Sequence, residues 1–284
     1  MLPQCRDNLA PMTRTKLVTT CATTLFVALS LVACDQNGGS SFARKSTTTS
    51  SQQSPVNDGT SSNGEENELP DDADTGDTGD ATGQPAPALS AVDINAARTA
   101  LGSLPTRGFS PNVPKYDRNE FGKPWSDDVT VDGGHNGCDT RNDILARDLT
   151  DVEFKPAKRN CIVTKGKLND PYTNTTIDFK RGRKSSDLIP IDHVVALGDA
   201  WYSGAYQWDA DRRRNFANDP INLQATNRES NTQKSAKNAA EWLPPNTAYQ
   251  CEYVGRQITI KSTYGLSVTP AEKNAMEKVL ATCS

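Results

Sequence analysis

The pattern of apolar and polar positions changes near residue 91. The stretch VDINAARTALGSL places Val92, Ile94, Ala97, Leu101 and Leu104 close to helical spacing. This spacing predicts a short amphipathic helix. The fifty or so residues before it have almost no apolar side chains to bury, so we predict that the folded part of the chain covers residues 91–284.

Helix-like and strand-like patterns alternate through the next hundred residues. NDILARDLTDVEF predicts a helix that is capped by Asn142 or Asp143. CIVTKGKLNDPYTNTTIDFKRG is rich in Val, Ile and Thr and predicts a hairpin that turns at 169–171. LIPIDHVVAL predicts a strand with Pro190 at its entry, where a missing N–H is tolerated.

The C-terminal third predicts helices around short extended pieces. WYSGAYQWDADRRRNFAND indicates helix in parts, ending before Pro220, and INLQA a short strand. A helix is predicted next, running through Lys237 to Trp242 and stopped by Pro244. The tail, YQCEYVGRQITIKSTYGLSVTPAEKNAMEKVLATC, predicts a strand and then a closing helix with Thr269 as its N-cap and Pro270 at its first position. We therefore predict a single α+β domain.

The first 33 residues have the outline of a secretory signal peptide. A weakly basic start is followed by the apolar run LVTTCATTLFVALSLVAC. Its end, Leu31-Val32-Ala33-Cys34, resembles the bacterial lipobox, in which the cysteine after the cleavage site receives diacylglycerol. We predict a lipoprotein signal at 1–33 and a lipid anchor to the bacterial cell membrane at Cys34. An ordinary signal, giving a secreted protein, and a short membrane span are the alternatives.

Residues 34–90 form a tether rich in Ser, Thr, Gly and Asp, which we predict to be disordered. Residues 35–90 carry ten acidic against two basic side chains, a net charge of −8. The whole chain has a net charge of −4, so residues 91–284 carry +2. The acidic balance of the whole chain therefore does not describe the part that folds.

The seven cysteines divide in the same way. Cys5 and Cys21 leave with the signal, and Cys34 is the predicted lipid attachment site. An even number in an exported domain predicts two disulfides, from the remaining Cys138, Cys161, Cys251 and Cys283. Three pairings are open; 138 with 161 and 251 with 283 close the most local loops. A zinc site is the competing interpretation, although close Cys-x-x-Cys pairs are absent.

The chain has two histidines, and one of them follows an acid in IDHVVALGDAW. His193 and Asp192 are followed by Asn222 in DPINLQA and by Asn231 and Lys234 in NRESNTQK, and the two asparagines are nine positions apart. An isolated Asp-His pair is usually a structural pair in a packed core. The ordered set of polar residues favours a catalytic site instead.

In order and spacing, IDHVVAL, NLQA and NxxK resemble the HNH nucleases, whose active site is a ββα-metal motif. GCDTRNDIL, WYSGAYQW, NDPINL and AEWLPP make the chain similar, over roughly 105–284, to exported proteins related to the C-terminal domain of the GmrSD restriction enzymes. The resemblance implies an α+β domain built around that motif and a metal-dependent phosphodiesterase activity.

The resemblance also implies a role for each polar residue. Neutral His193 takes a proton from water, while Asp192 and Asn231 offer oxygen ligands to Mg²⁺, or to Mn²⁺ in its place. Asn222 braces the loop after the strand and orients the imidazole. Lys234 meets a substrate phosphate. No spare histidine lies near Asn231, which argues against zinc.

Cationic residues around these motifs are candidates for binding backbone phosphates without reading bases. We expect substrate contacts from Arg141, Arg181, Arg183 and Arg213. For the run 212–214, a solvated face is an equally good interpretation. The other histidine, His135 in GGHNGCDTRN, is expected to have a structural role in a loop held by a disulfide.

Together these features predict an exported, membrane-anchored, metal-dependent endonuclease. It would hydrolyse phosphodiester bonds of DNA, or of RNA, with low sequence specificity. Two other classes stay open: a surface module that binds nucleic acid without cutting it, and a metallohydrolase that acts on another phosphodiester.

Overall fold

The computed structural model describes residues 91–108, 110–156, 160–182 and 185–284. The predicted signal peptide, the lipid anchor at Cys34, the tether and Arg183 lie outside these ranges. Within these ranges no helix has both the length and the apolar character needed to cross a lipid bilayer.

The described residues contain seven α-helices and five strands. The helices are α1 Ile94–Ser103, α2 Thr140–Asp148, α3 Leu197–Tyr202, α4 Ala210–Asn218, α5 Arg228–Lys234, α6 Gln250–Tyr264 and α7 Pro270–Leu280. The strands are β1 Leu149–Phe154, β2 Val163–Asp170, β3 Thr175–Lys180, β4 Ile191–His193 and β5 Leu223–Ala225. Strands β1, β2 and β3 form an antiparallel meander, and β4 pairs with β5 in a separate antiparallel ladder. The mixed α and β content agrees with the predicted class.

Helix caps show how the local sequence sets the helix bounds. Thr269 caps α7 in a capping box with Glu272, as predicted. Helix α2 begins earlier than predicted, because the side chain of Asp139 accepts a hydrogen bond from the backbone N–H of Asn142. It also ends earlier: LTDVEF forms β1, paired with β2, and does not continue the helix.

Two predicted elements are wrong. Residues 250–264 form α6 and not a strand, because apolar residues such as Tyr253, Val254 and Ile258 lie on one buried helical face despite their preference for strands. No helix covers 237–242, since α5 ends at Lys234 and Ser235 adopts a positive φ of 48°. The predicted 163–180 hairpin is confirmed.

Strand β4 lies where two hydrophobic cores meet. Ile191 packs with α2 and the strands, in a core with Leu145, Leu168 and Leu223. The residues directly after the strand, 194–195, belong to the other core, which α1, α3, α6 and α7 build. The Asp192-His193 dipeptide is therefore fixed from both sides.

The predicted disulfides are both present. Cys138 is joined to Cys161, which ties the start of α2 to the segment before β2. Cys251 is joined to Cys283, which ties α6 to the end of the chain. The pairing leaves no cysteine of the described residues available for a zinc site.

Candidate functional site

The site is built on β4, β5 and the helix that follows them. Asp192 lies opposite Gln224 in the ladder and His193 opposite Leu223. Helix α5 begins only two residues after β5, and its N-cap Asn227 accepts hydrogen bonds from two backbone N–H groups of the first turn. The motif residues, far apart in sequence, thus belong to three adjoining elements.

Both carboxylate oxygens of Asp192 have buried partners. The hydroxyl of Tyr172 donates to Oδ2 at 2.7 Å, and the Nζ of Lys234 donates to Oδ1 at 2.8 Å. Burial, then the charge of Asp192, raise the pKa of Tyr172 well above its usual value, so the phenol stays a donor. Asp192 is 5% exposed and Lys234 0%. The carboxylate is thus fully held by the protein.

Lys234 lies in a place that the sequence did not predict. Its Nζ also donates to the carbonyl oxygen of His193 at 2.8 Å. A fully buried ammonium that is satisfied by Asp192 and by this carbonyl does not face solvent, so a substrate phosphate does not reach it in this arrangement. The reason is that Lys234, the last residue of α5, turns its side chain inward to the Asp192 carboxylate and the His193 carbonyl of β4.

His193 is buried and held in one tautomer. Its Nε2–H donates to the carbonyl oxygen of Ala217 at 2.9 Å, since a carbonyl only accepts. This leaves the lone pair on Nδ1. Burial, and then the nearby cation of Arg118, lower the pKa of His193 to about 3. The imidazole is therefore neutral at physiological pH.

An aromatic ring covers the imidazole. The indole of Trp125 lies almost parallel to the His193 ring, with 9° between the planes and 5.9 Å between the ring centroids. Trp125 adopts a φ of 55°, which is unusual for a bulky residue. Its backbone is anchored to the start of α2, where the N–H of Thr140 donates to the Trp125 carbonyl.

Asn222 braces the loop after β4. Its Oδ1 accepts from the N–H of Val195 at 2.8 Å and its Nδ2 donates to the carbonyl of the same residue at 3.3 Å. From α6, Gln257 donates to the carbonyl of Val194 at 2.9 Å. Asn222 therefore holds the backbone, whereas the carbonyl of Ala217, and not Asn222, orients the imidazole.

Asn231 lies one helical turn before Lys234, on the side of α5 that meets β4. It is partly exposed, and its side chain makes no hydrogen bond to another described residue. The amide oxygen of Asn231 and the carboxylate of Asp192 are the hard oxygen donors that Mg²⁺ and Mn²⁺ prefer. The donor chemistry fits such an ion, but the Lys234 ammonium already holds Oδ1. The described residues include no cluster of three or more His, Cys, Asp or Glu side chains suited to a metal.

Three of the arginines that the sequence proposed for substrate binding, residues 141, 181 and 213, lie among the described residues and are engaged inside the protein. Arg141 is buried and donates to the carbonyls of Ser186 and Ile189, just before β4. Arg181 donates to the carbonyl of Val163 and to Asn142. These guanidinium groups hold the segments around the site together. The structure thus gives them structural partners in place of the expected phosphates.

The run 212–214 is likewise held by internal contacts. Arg213 donates to Glu120 and to the carbonyl of Trp208, with a side chain that is 12% exposed. Arg212 lies over the Trp208 ring and donates to the carbonyl of Tyr264. Arg214, the last residue of the run, pairs with Asp128 and with Asp211.

His135 lies in an exposed turn, with its Nε2 3.9 Å from Oδ1 of Asp128. Its side chain is 63% exposed, and its backbone has a φ of 57°. Asp127 closes the turn by accepting hydrogen bonds from the N–H groups of Asn136 and Gly137. Cys138, joined to Cys161, follows directly. This placement is the loop position expected for His135.

Three groups of the site were missed in the sequence. Trp125 lies in the loop FGKPW, and Tyr172 in the hairpin turn after Pro171, so neither belongs to a recognisable motif. The third is the backbone carbonyl of Ala217, for which no side chain gives a signal. The one signal in the sequence was Tyr172 itself, because an aromatic residue in an otherwise polar hairpin turn is unusual.

A model of the C-terminal domain of the GmrSD restriction endonucleases matches residues 139–279. The chain is also 37% identical over 203 residues to an "Uncharacterized secreted protein" of Arthroderma benhamiae, covering 70% of this chain and 92% of the relative. No solved structure gives a significant match. The matched residues include β4, β5 and α5 with every motif residue described above. The chain belongs to the family of GmrSD restriction endonuclease C-terminal domains.

Proposed function

We propose that the chain is an exported endonuclease that hydrolyses phosphodiester bonds of DNA or RNA with the help of a divalent cation. Family membership supports a nuclease-type function. The observation that carries the proposal is the environment of His193: a buried, neutral imidazole with its Nε2–H fixed on a carbonyl, next to Asp192.

His193 is the general base of the proposed reaction. With Nε2–H donated to Ala217, Nδ1 is the atom that takes a proton from water. In the free protein, burial and Arg118 hold the pKa of His193 low. A phosphate anion next to the ring acts in the opposite direction and raises this pKa toward the working pH. The base therefore becomes stronger when the substrate is present.

Asp192 and Asn231 are the residues that would hold the cation. When bound, a divalent ion supplies Lewis-acid stabilisation of the charge that develops on the phosphate and the leaving oxygen. Because the Lys234 ammonium donates to Oδ1 of Asp192, it competes with such an ion for that oxygen. We therefore expect weak cation binding that tightens with substrate.

Export is supported by two disulfides, which form and persist in oxidising compartments. The similar fungal protein carries "secreted" in its name. The lipid anchor at Cys34 rests on the lipobox-like sequence. The net charge of +2 on residues 91–284 is compatible with an anionic polymer as substrate.

One observation favours a second candidate, a module that binds nucleic acid without cutting it. Asp192 is already neutralised by a buried ammonium and needs no metal to be satisfied. In that case the polar groups around His193 would serve only to shape a binding surface.

The test uses the full exported chain with plasmid DNA, single-stranded DNA and RNA. We expect cleavage with Mg²⁺ or Mn²⁺ and none with EDTA. His193→Ala should abolish it, whereas His135→Ala, which changes the other, exposed histidine, should not. Binding without cleavage under every cation would support the second candidate. Hydrolysis of only small phosphodiesters would point to another metallohydrolase.

A further inference from the structure

A cleft opens beside His193. It has two walls, with about 20 Å³ of free volume between them. One wall is the continuous segment 118–125, and the other is formed by His193, Leu197 and Ala217. That volume is enough for about one water molecule, so a nucleotide would bind against the walls at the mouth of the cleft and not inside it.

The chemistry of segment 118–125 matches the two parts of a nucleotide. Arg118 and Lys123 place positive charge on the cleft, and Lys123 is exposed. Trp125 and Phe121 supply aromatic rings to the same wall. Cations bind the phosphate of a nucleic-acid strand, and an indole stacks on a base whatever its identity.

Trp125 is held in its position at a cost in backbone conformation. Its φ of 55° is in the left-handed region, which a bulky residue rarely adopts. Thr140 at the start of α2 fixes the backbone on either side, by donating to the carbonyls of Trp125 and Ser126. Trp125 also packs against the core that contains Leu145 and Leu168, so the loop carries a half-buried indole whose ring lies parallel to the imidazole.

We propose that segment 118–125 is a nucleotide-binding subsite, in which Arg118 and Lys123 bind a backbone phosphate next to the scissile one and Trp125 stacks on an unpaired base. This inference rests on the proposed function and names how that site holds its substrate. The segment precedes the residues 139–279 that the family model matches, so the family does not assign it. Because a stacked base must leave its duplex partner, the subsite favours single-stranded or frayed substrate.

The experiment measures binding of a fluorescein-labelled eight-nucleotide single strand, and of its duplex, to the full chain carrying His193→Ala, by fluorescence anisotropy. Into this parent we introduce Trp125→Ala, Trp125→Phe and Lys123→Ala. The matched control is Lys278→Ala, an exposed lysine in the last turn of α7, away from the segment. Circular dichroism checks that each variant is folded.

We expect Trp125→Ala to weaken binding of the single strand by about 5- to 100-fold, in line with the loss of one base stack. Trp125→Phe should retain most of the affinity. Lys123→Ala should lower the slope of log K against log salt by about one phosphate contact, and Lys278→Ala should leave it unchanged. The duplex should bind more weakly than the single strand.

Unchanged affinity in Trp125→Ala together with an unchanged salt slope in Lys123→Ala would overturn the subsite. If the unsubstituted chain then still cleaves nucleic acid, the proposed function stands and only the subsite falls. If the unsubstituted chain does not cleave and the parent does not bind the oligonucleotide, both fall. Lys123 is exposed, so its variant keeps the test valid even if Trp125→Ala fails to fold.

Discussion

The Nζ atom of Lys234 lies 2.8 Å from Oδ1 of Asp192, with side chains that are 0% and 5% exposed. The ammonium therefore occupies one of the oxygens that a catalytic cation would use. Tyr172 holds the other oxygen. The carboxylate at the centre of the motif is thus paired within the protein before any metal or substrate arrives.

Removing the lysine alone should destabilise the fold strongly. Lys234→Met leaves a buried carboxylate without its cation, and breaking a buried pair in this way costs about 3–5 kcal/mol. Asp192→Asn combined with Lys234→Met removes both charges and should recover most of that loss. Urea unfolding of the two single variants and the double variant gives the coupling energy.

Lys167→Met is the matched control, because Lys167 pairs with Asp151 on the surface of the meander. This exposed pair should contribute little to the free energy of unfolding. Equal losses in Lys234→Met and Lys167→Met would contradict a stabilising role for the buried pair.

The value of kcat/KM should not fall between pH 7 and pH 5 through protonation of His193. Burial and Arg118 lower the pKa of His193 to about 3, and the neutral form is the base. A histidine with an ordinary pKa of about 6.5 loses most of its neutral form between pH 7 and 5. For His193 this loss should begin only as the pH approaches its lowered pKa.

The measurement is kcat/KM for plasmid cleavage from pH 4.5 to 8, since this parameter reports the free enzyme. We expect no decrease attributable to His193 above pH 5. A tenfold fall in kcat/KM from pH 6.5 to 5.5, in a chain that circular dichroism shows to be folded, would show that the base titrates normally and is more exposed than the structure places it.

The sequence predicts those parts of the site and fold that depend on residues close together along the chain. Asp192 and His193 lie on a strand, Asn222 directly before its partner strand, and Asn231 on the following helix, as the motif spacing indicated. The hairpin and the Thr269 cap were equally accessible, because turn and capping residues act over a few positions.

The rest depends on contacts between distant segments. Nothing in NRESNTQK shows that Lys234 is buried, since lysine is almost always exposed unless it is paired. Trp125 reaches His193 from 68 positions earlier, and Tyr172 reaches Asp192 from 20 positions earlier. The failure at α6 has the same origin: its β-branched residues favour a strand, but packing against α1 and α7 decides.

Stability should depend on the protonation of Asp143. Burial, with Asp139 and Asp127 nearby, raises the pKa of Asp143 to about 8, against the hydrogen bond from Asn136. A raised carboxyl pKa means that the folded state binds the proton more tightly than the unfolded state. The stabilisation is complete below the unfolded pKa of about 3.8 and is lost as the pH rises toward 8.

Asp143→Asn replaces the carboxyl by a group that does not ionise. We expect the variant to gain thermal midpoint relative to the parent at pH 8 and to gain less, or lose slightly, at pH 4. Differential scanning calorimetry at both pH values makes the comparison. An equal shift at pH 4 and pH 8 would mean that Asp143 does not titrate between them.

Removing either disulfide should lower the stability of the fold, but only removal of the bond between Cys138 and Cys161 should also lower activity. Each closes a short loop, with a sequence separation of 23 for Cys138 and Cys161 and of 32 for Cys251 and Cys283. Chain entropy therefore predicts a similar loss of about 2–4 kcal/mol for removing either one. Only the first bond lies beside α2, whose Thr140 anchors Trp125 over the imidazole.

Serine pairs at each bond test this separation. We expect both double variants to unfold at lower urea concentration by comparable amounts. At a temperature where both stay folded, removal of the first bond should lower kcat/KM several-fold, because the loop that carries Trp125 loses its anchor. Removal of the second should leave kcat/KM unchanged, since Cys251 lies at the start of α6 and Gln257, which holds the loop after β4, lies nearly two turns further along the helix. Equal loss of kcat/KM in the two would show that the bonds act on the site through global stability alone.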